Sequence, residues 1–281
     1  VVCSRNASLF SALKENIEAT INFNHELIVI DNTIFQQGLC SVYNYGMSAA
    51  TGKYICFCHE DILFATTGWG SELVDLLNDQ TIGLVGAAGA IFKSRFPASW
   101  VAVPQEYYRI NMIQRKAGGE KVAYKILDEG HSSEVAVLDG FFIAGRKEVF
   151  EKFPWNEEFL KAFDMYDIDI SLRVRQQYKV VVANSITIEH LSEGNFNERW
   201  FSASEDFHKK NQQLFPAFTK DLGRKQTAFL DYYALADYIK RSVVLKRSKL
   251  IIIKYILKAF ALQPFNKTNL SLIKALITTP K

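Results

Sequence analysis

The stretch Tyr54-Ile55-Cys56-Phe57-Cys58-His59-Glu60-Asp61 sets an apolar, β-favouring run against an imidazole and two carboxylates. An apolar run this short reads as a buried strand rather than a helix. Similar runs stand at Val1 to Cys3, Leu27 to Ile30 and Ile82 to Val85, and the segments near Ser8 to Thr20, Gln37 to Ala50 and Trp69 to Leu77 have helical character. The order β-α-β-α-β-α-β predicts an α/β fold, a mainly parallel mixed sheet covered by helices on both faces. Sheets of this kind bind ligands beyond the carboxyl ends of their strands. The residues to read for chemistry are therefore Ser4-Arg5-Asn6, Asp31-Asn32 and His59-Glu60-Asp61.

The 281 residues are 48% hydrophobic, 22% charged and 13% aromatic, enough to fill a substantial core and to exclude wholesale disorder. Four cysteines, Cys3, Cys40, Cys56 and Cys58, lack the density of a disulfide scaffold and are expected as reduced, buried thiols of a cytoplasmic protein. No charged-then-apolar leader precedes the first strand, so no signal peptide is expected. Charge is unevenly placed: Tyr238 to Lys281 holds ten Lys or Arg and no Asp or Glu, +10, leaving −7 on the preceding residues against an overall +3. Lys254 and Lys258 interrupt the apolar stretch Leu250 to Leu262, which falls short of the roughly 18 to 20 residues a membrane span requires.

The middle, Phe92 to Glu134, has no sustained period and is expected as a long excursion with one or two helices, the kind of segment that forms binding loops. A second ordered block follows, with strands at Val135 to Ala144 and Val180 to Ile188 and helices at Lys147 to Phe153 and Ile168 to Tyr178. From Asn197 onward the pattern is mainly helical. Carboxylates delivered by the strand before His59-Glu60-Asp61 suit Mg²⁺ or Mn²⁺, which in turn holds a diphosphate. A polar loop after a buried strand is the plainer reading of the same residues. In Phe163-Asp164-Met165-Tyr166-Asp167-Ile168-Asp169, Asp164 suits a helix N-cap and Asp169 an ion pair with Arg173 one turn on. Asp167 is least accounted for by structure and is the candidate general base. His190 is a structural residue unless the fold brings it to Asp61.

The segment Asn44 to Asp61, with Gly46, Ala50 and Gly52 at their spacings, resembles that of nucleotide-sugar-dependent glycosyltransferases of the GT-A fold, family-2 type. Val29-Ile30-Asp31-Asn32, Leu138-Asp139-Gly140-Phe141-Phe142, Phe163 to Arg173 and His190-Leu191-Ser192-Glu193-Gly194 resemble later motifs of that family. The resemblance covers residues 1 to 200: a nucleotide-binding half, 1–90, and an acceptor half, 91–200. It implies Asp61 and His190 as metal ligands, with His59 in place of a donor-side aspartate as a third. It implies donor contacts from Ser4, Arg5, Asn6, Asp31, Asn32, Asn44 and Glu60, acceptor or sugar contacts from Asp139, Gly140, Asp164 and Tyr166, and Asp167 as base. The reaction implied is transfer from a UDP-sugar, aided by Mn²⁺ or Mg²⁺, to a saccharide or lipid-linked acceptor, with inversion, in surface polysaccharide or glycolipid assembly.

Residues 201–281 are expected as a helical, basic extension. At about 100° per residue Lys240, Arg247, Lys254 and Lys258 share one stripe of a continuous helix. Two readings stay open: a helix lying on the cytoplasmic face of a membrane, or one packed on the catalytic domain with its stripe solvated. Nucleic acid is not expected, since Ile and Leu dilute the basic residues. Two other functions remain in view. A sugar nucleotidyltransferase requires a Gly-rich, basic loop after the first strand, whereas Ser4-Arg5-Asn6-Ala7-Ser8 has no glycine. A catalytically silent nucleotide-sugar binder has no use for Asp167.

Overall fold

The computed structural model describes residues 1–278; the last three residues of the expected extension, 279–281, lie outside the described residues. In chain order the elements are β1 (Val2–Ser4), α1 (Ala7–Thr20), β2 (Val29–Asp31), α2 (Asn32–Phe35), α3 (Leu39–Ala49), β3 (Tyr54–His59), β4 (Ile62–Phe64), α4 (Trp69–Asn78), β5 (Ile82–Gly86), β6 (Ala88–Ala90), β7 (Phe92–Lys93), β8 (Tyr108–Arg115) and β9 (Lys121–Ile126). They continue with β10 (Ser132–Glu134), β11 (Val137–Leu138), β12 (Phe142–Arg146), α5 (Lys147–Lys152), α6 (Tyr166–Val174), β13 (Lys179–Ala183), β14 (Ile188–His190), α7 (Glu198–Lys210), β15 (Ala217–Phe218), α8 (Gly223–Val244), α9 (Lys249–Leu262) and α10 (Thr268–Thr278).

The chain forms two compact units, Val1–Ile91 with Tyr108–Gly194, and Phe92–Tyr107 with Asn195–Lys281. Relative to the boundary expected near residue 200, the segment Phe92–Tyr107 groups with the helices instead of the sheet. In the first unit the main sheet has the order β10-β13-β5-β12-β3-β1-β2 among the described residues. The four strands expected in the first ninety residues are present, and β1 runs parallel to both β2 and β3. β12 enters antiparallel between β3 and β5, making the sheet mixed. Its residues Phe142 to Ala144 are buried, as a central strand requires.

A second sheet has the order β11-β6-β8-β14-β4, with β9 on β8. It narrows the expectation of one or two helices in Phe92 to Glu134 to a single 3-10 turn at Gln105–Tyr107, because β8 and β9 form a hairpin over much of that segment. The alternating exposure of Lys121 to Ile126 and the positive φ of Gly118 and Gly119, 95° and 89°, are the local reasons. The single strand expected over Val180 to Ile188 is likewise two, β13 in the first sheet and β14 in the second. The four thiols are free, with Cys40 and Cys58 buried and Cys3 and Cys56 partly exposed.

In the second unit α8, α9 and α10 pack around Leu235, Ile239, Ile252, Ile256 and Leu272. Phe96 and Ala98 of the early segment join this core, and buried Asp231 on α8 accepts from Ser94 Oγ at 2.7 Å and Arg95 Nε at 2.5 Å. The continuous basic stripe expected along Lys240 to Lys258 does not form. The helix stops at Val244, Lys246 turns through φ 53°, and Arg247 is buried, donating to Glu198, Glu205 and the Tyr238 hydroxyl. A guanidinium with carboxylate partners inside the fold is worth more there than in a solvated row.

Candidate active site

Strand pairing assembles the site, all of it in the first unit. β3 ends at His59, and Glu60 and Asp61 turn the chain into β4. β14 runs antiparallel to β4 with His190 opposite Ile62, and the Leu191 amide donates to the Asp61 carbonyl at 2.9 Å. His190, far from Asp61 in the chain, is thereby set beside it. His190 Nε2 lies 3.7 Å from Asp61 Oδ2 and His59 Nδ1 3.8 Å from Asp61 Oδ1. One donor atom from each of the three falls within 4.8 Å of the others.

The rings are held from behind. Gln114 Nε2 donates to the carbonyls of Arg115, His190 and Ser192 at 2.9, 3.3 and 2.7 Å. This fixes the amide, so Oε1, which only accepts, faces His190 Nδ1 at 3.4 Å. With Nδ1 on the Gln114 side, Nε2 is the ring nitrogen turned toward Asp61. The ring stacks on Phe141 with centroids 5.0 Å apart. His59 Nε2 meets the Tyr166 hydroxyl at 2.6 Å, and burial is the first cause holding His59 below its ordinary pKa, with His190 adding to it and Asp61 opposing.

Separations of 3.7 and 3.8 Å are too long for hydrogen bonds. They fit neighbouring ligands that each sit about 2.1 Å from one ion. Two imidazoles and a carboxylate are softer donors than Mg²⁺ prefers, so of the two expected ions the set suits Mn²⁺ better. Ser192 Oγ donates to Asp61 Oδ2 at 2.5 Å and orients that carboxylate.

The other half of the site comes from the start of α6. Its N-cap position is Met165, at φ 69° with no side-chain cap, which corrects the assignment of Asp164 as cap. A non-glycine residue in the left-handed region immediately before candidate catalytic residues is backbone strain of the kind found at functional sites. Tyr166, the first helical residue, is buried and reaches over Gly140, where an added Cβ would lie 2.0 Å from the Tyr166 hydroxyl oxygen. The glycine is there for that close approach. Asp167 follows, and its carboxyl is pushed up to about 7, first by burial and then by the charge of Asp139. The Ile168 amide, donating at 2.8 Å, opposes the shift. Asp139 also acts on His59, so one carboxylate neighbours both halves of the site. Asp169 has the expected structural role, 2.7 Å from Arg173.

Several residues expected on the donor side are engaged in the fold. Glu60 accepts from Ser4 Oγ at 2.8 Å, Arg5 N at 3.1 Å and Asn6 N at 3.0 Å, closing the turn after β1. Asn6 caps α1 and Asp31 caps α2, and hydrogen bonds from Thr33 hold the Asp31 carboxyl below its usual range. Asn32 exchanges hydrogen bonds with the Gln37 backbone, and Asn44 does so with Trp155. The Arg5 side chain and Asp31 are exposed at the carboxyl ends of β1 and β2. Gln114 and Phe141 were not among the expected site residues. Gln114 lies in a segment without motif, and only the β8–β14 pairing puts it behind His190.

A family model described as a glycosyltransferase-like family matches residues 1–214. Among solved structures, GalNAc-T7 with UDP, GalNAc and Mn²⁺ aligns at 12% identity and TM-score 0.48 over 92% of this chain and 53% of that one. Mannosyltransferase PcManGT from Pyrobaculum calidifontis, in complex with GDP-Man and Mn²⁺, aligns at 12% identity and TM-score 0.43 over 99% and 85%. S. aureus TarS 1–349 aligns at 13% identity and TM-score 0.48 over 97% and 90%. The chain spans about half the length of the first of these. No curated protein matches the sequence.

Proposed function

The chain belongs to the glycosyltransferase-like family, and on that premise we propose that it moves a sugar from a nucleotide-diphosphate sugar, UDP-linked, to an acceptor hydroxyl with inversion at the anomeric carbon. The observation that carries this reading is the meeting of His59, Asp61 and His190 in a unit that also holds a carboxyl at about 7 on Asp167. Asp61, His190 and His59 hold Mn²⁺ or Mg²⁺; when bound, the ion supplies positive charge to the departing diphosphate. Asp31 and Arg5, exposed after β2 and β1, face the nucleoside and its phosphates, with Ser4, Asn6 and Asn32 shaping the turns.

Asp167 accepts the proton of the acceptor hydroxyl as that oxygen bonds to the anomeric carbon and the bond from carbon to the diphosphate oxygen breaks. A carboxyl near 7 is a stronger base than an ordinary aspartate and is still half ionised at neutral pH. Asp139 and Asp164 bind sugar hydroxyls, and Tyr166 acts by holding His59. The acceptor we assign is a saccharide, free or carried on a lipid at the cytoplasmic face of a membrane, in surface polysaccharide or glycolipid assembly.

Calorimetric titration of UDP, with GDP as control, in Mn²⁺ and then in EDTA tests the reading. UDP binding that requires Mn²⁺ and is lost in Asp61→Ala is expected. Binding of neither nucleotide with or without metal would remove the donor and with it the proposal.

A further inference from the structure

α9 reverses the usual arrangement of a surface helix. Ile252, Tyr255, Ile256 and Ala259 face the core of the helical unit, but the opposite face is also apolar at its centre. Leu250 is 80% exposed and Leu257 65% exposed, and with Ala261 they fall within about 40° of one another at 100° per residue. Ile253 lies beside them. Lys254 and Lys258 flank this strip on one side and Lys249 on the other. At the end of α9, the turn through Pro264 presents Phe265 at 98% exposure, the extreme value among the large apolar side chains described.

Scattered exposed leucines are ordinary, but a strip in helical register ending in a fully exposed phenylalanine is a surface built to be covered. Charge complementarity identifies what covers it. From Tyr238 onward there is no acidic residue, and in the same unit Glu198 and Glu205 are engaged by Arg247 and Asp237 by Arg241. An apolar centre edged by lysines, with an aromatic residue at the tip, matches the boundary between headgroups and acyl chains of an anionic bilayer. The helix is 14 residues long, about 21 Å, and no helix among the described residues is long and apolar enough to cross a membrane.

We propose that the outward face of α9 and the Pro264-Phe265 turn form a docking surface for an anionic lipid bilayer. Leu250, Leu257 and Phe265 enter the acyl boundary while Lys249 and Lys254 meet lipid phosphates; Lys258 Nζ lies over the Tyr255 and Phe96 rings of the core. The surface differs from the continuous basic stripe expected along Lys240 to Lys258, which Arg247 leaves for its carboxylate partners.

The test is co-sedimentation of the full chain with vesicles of phosphatidylcholine alone and of phosphatidylcholine with phosphatidylglycerol, without nucleotide or metal. Failure of the transferase reading therefore leaves this result untouched, and the reverse holds as well. Binding is expected only where phosphatidylglycerol is present and should weaken at high salt. The triple variant Leu250→Ser, Leu257→Ser, Phe265→Ser should bind at least tenfold more weakly with unchanged circular dichroism. Lys249→Ala with Lys254→Ala, a pair that leaves the apolar strip intact, should lower partition by roughly fivefold for each lysine removed. Equal binding to neutral vesicles, no binding, or binding indifferent to both variants overturns the proposal. So does a concentration-dependent dimer that the triple variant abolishes, which would make the face a contact between copies.

Discussion

At the scale of single residues, Asp167 is the informative position, because its environment makes opposite demands on stability and activity. An unfolded aspartate ionises near 3.8, whereas in the fold this carboxyl holds its proton up to about 7. Between those values the native state binds more protons than the unfolded one, so the contribution of this group to stability falls as pH rises from about 4 to about 7. Asp167→Asn removes the buried charge and is expected to raise Tm at pH 8 while lowering turnover by orders of magnitude, with UDP affinity retained. Thermal unfolding, kinetics and calorimetry on the one variant check all three, and a variant with undiminished turnover would make the chain a silent binder. In the wild type, kcat/KM should rise with pH and level off above about 7, since a general base works deprotonated. Asp61 was legible in the sequence as a candidate because it follows a strand, and His190 only through the family resemblance. Gln114 was not, since its part depends on which carbonyls converge on its amide, and no local pattern encodes that.

Elements decide how those residues meet, and one glycine controls the junction. Gly140 lies between β11 and β12, and the space it leaves holds the Tyr166 hydroxyl that binds His59. Gly140→Ala forces Tyr166 back along α6, and we expect a loss of about 1 to 3 kcal/mol in urea unfolding. UDP binding should weaken with it, because His59 loses the partner that orients it. β1, β2, β3 and β5 with the helices α1, α3 and α4 were legible because their apolar runs are short and their separating segments long enough for crossovers, whereas the short α2, β4 and β6 were not. The placement of β12 between β3 and β5 was not, since a buried strand has the same composition whichever way it runs. The β8–β9 hairpin was hidden by a mixture of aromatic and charged residues whose alternation has meaning only once one face is covered. The break between α8 and α9 was hidden for a related reason. Helical spacing continues through Leu245 to Ser248, and only the tertiary partners of Arg247 show why the backbone turns there.

For the whole molecule, the division of the chain has a direct experimental reading. Ala90 of β6 pairs with Tyr108 of β8, so the excursion Phe92–Tyr107 leaves and re-enters the sheet at neighbouring points. A chain ending at Gly194 keeps this excursion but loses the helices that bury Phe96 and Ala98. We expect that chain to aggregate, and a second in which a short Gly-Ser turn replaces residues 92–107 to stay soluble and keep metal-dependent UDP binding; static light scattering and calorimetry distinguish them. The same connectivity bears on biosynthesis. Ser94 is joined to Asp231, which follows it by 137 residues. At roughly 5 to 20 residues per second, the ribosome delivers that partner about 7 to 27 s later. For that interval Phe96 lacks the later helices that bury it, so the nascent chain presents an apolar segment open to holdase chaperones before the final helices emerge.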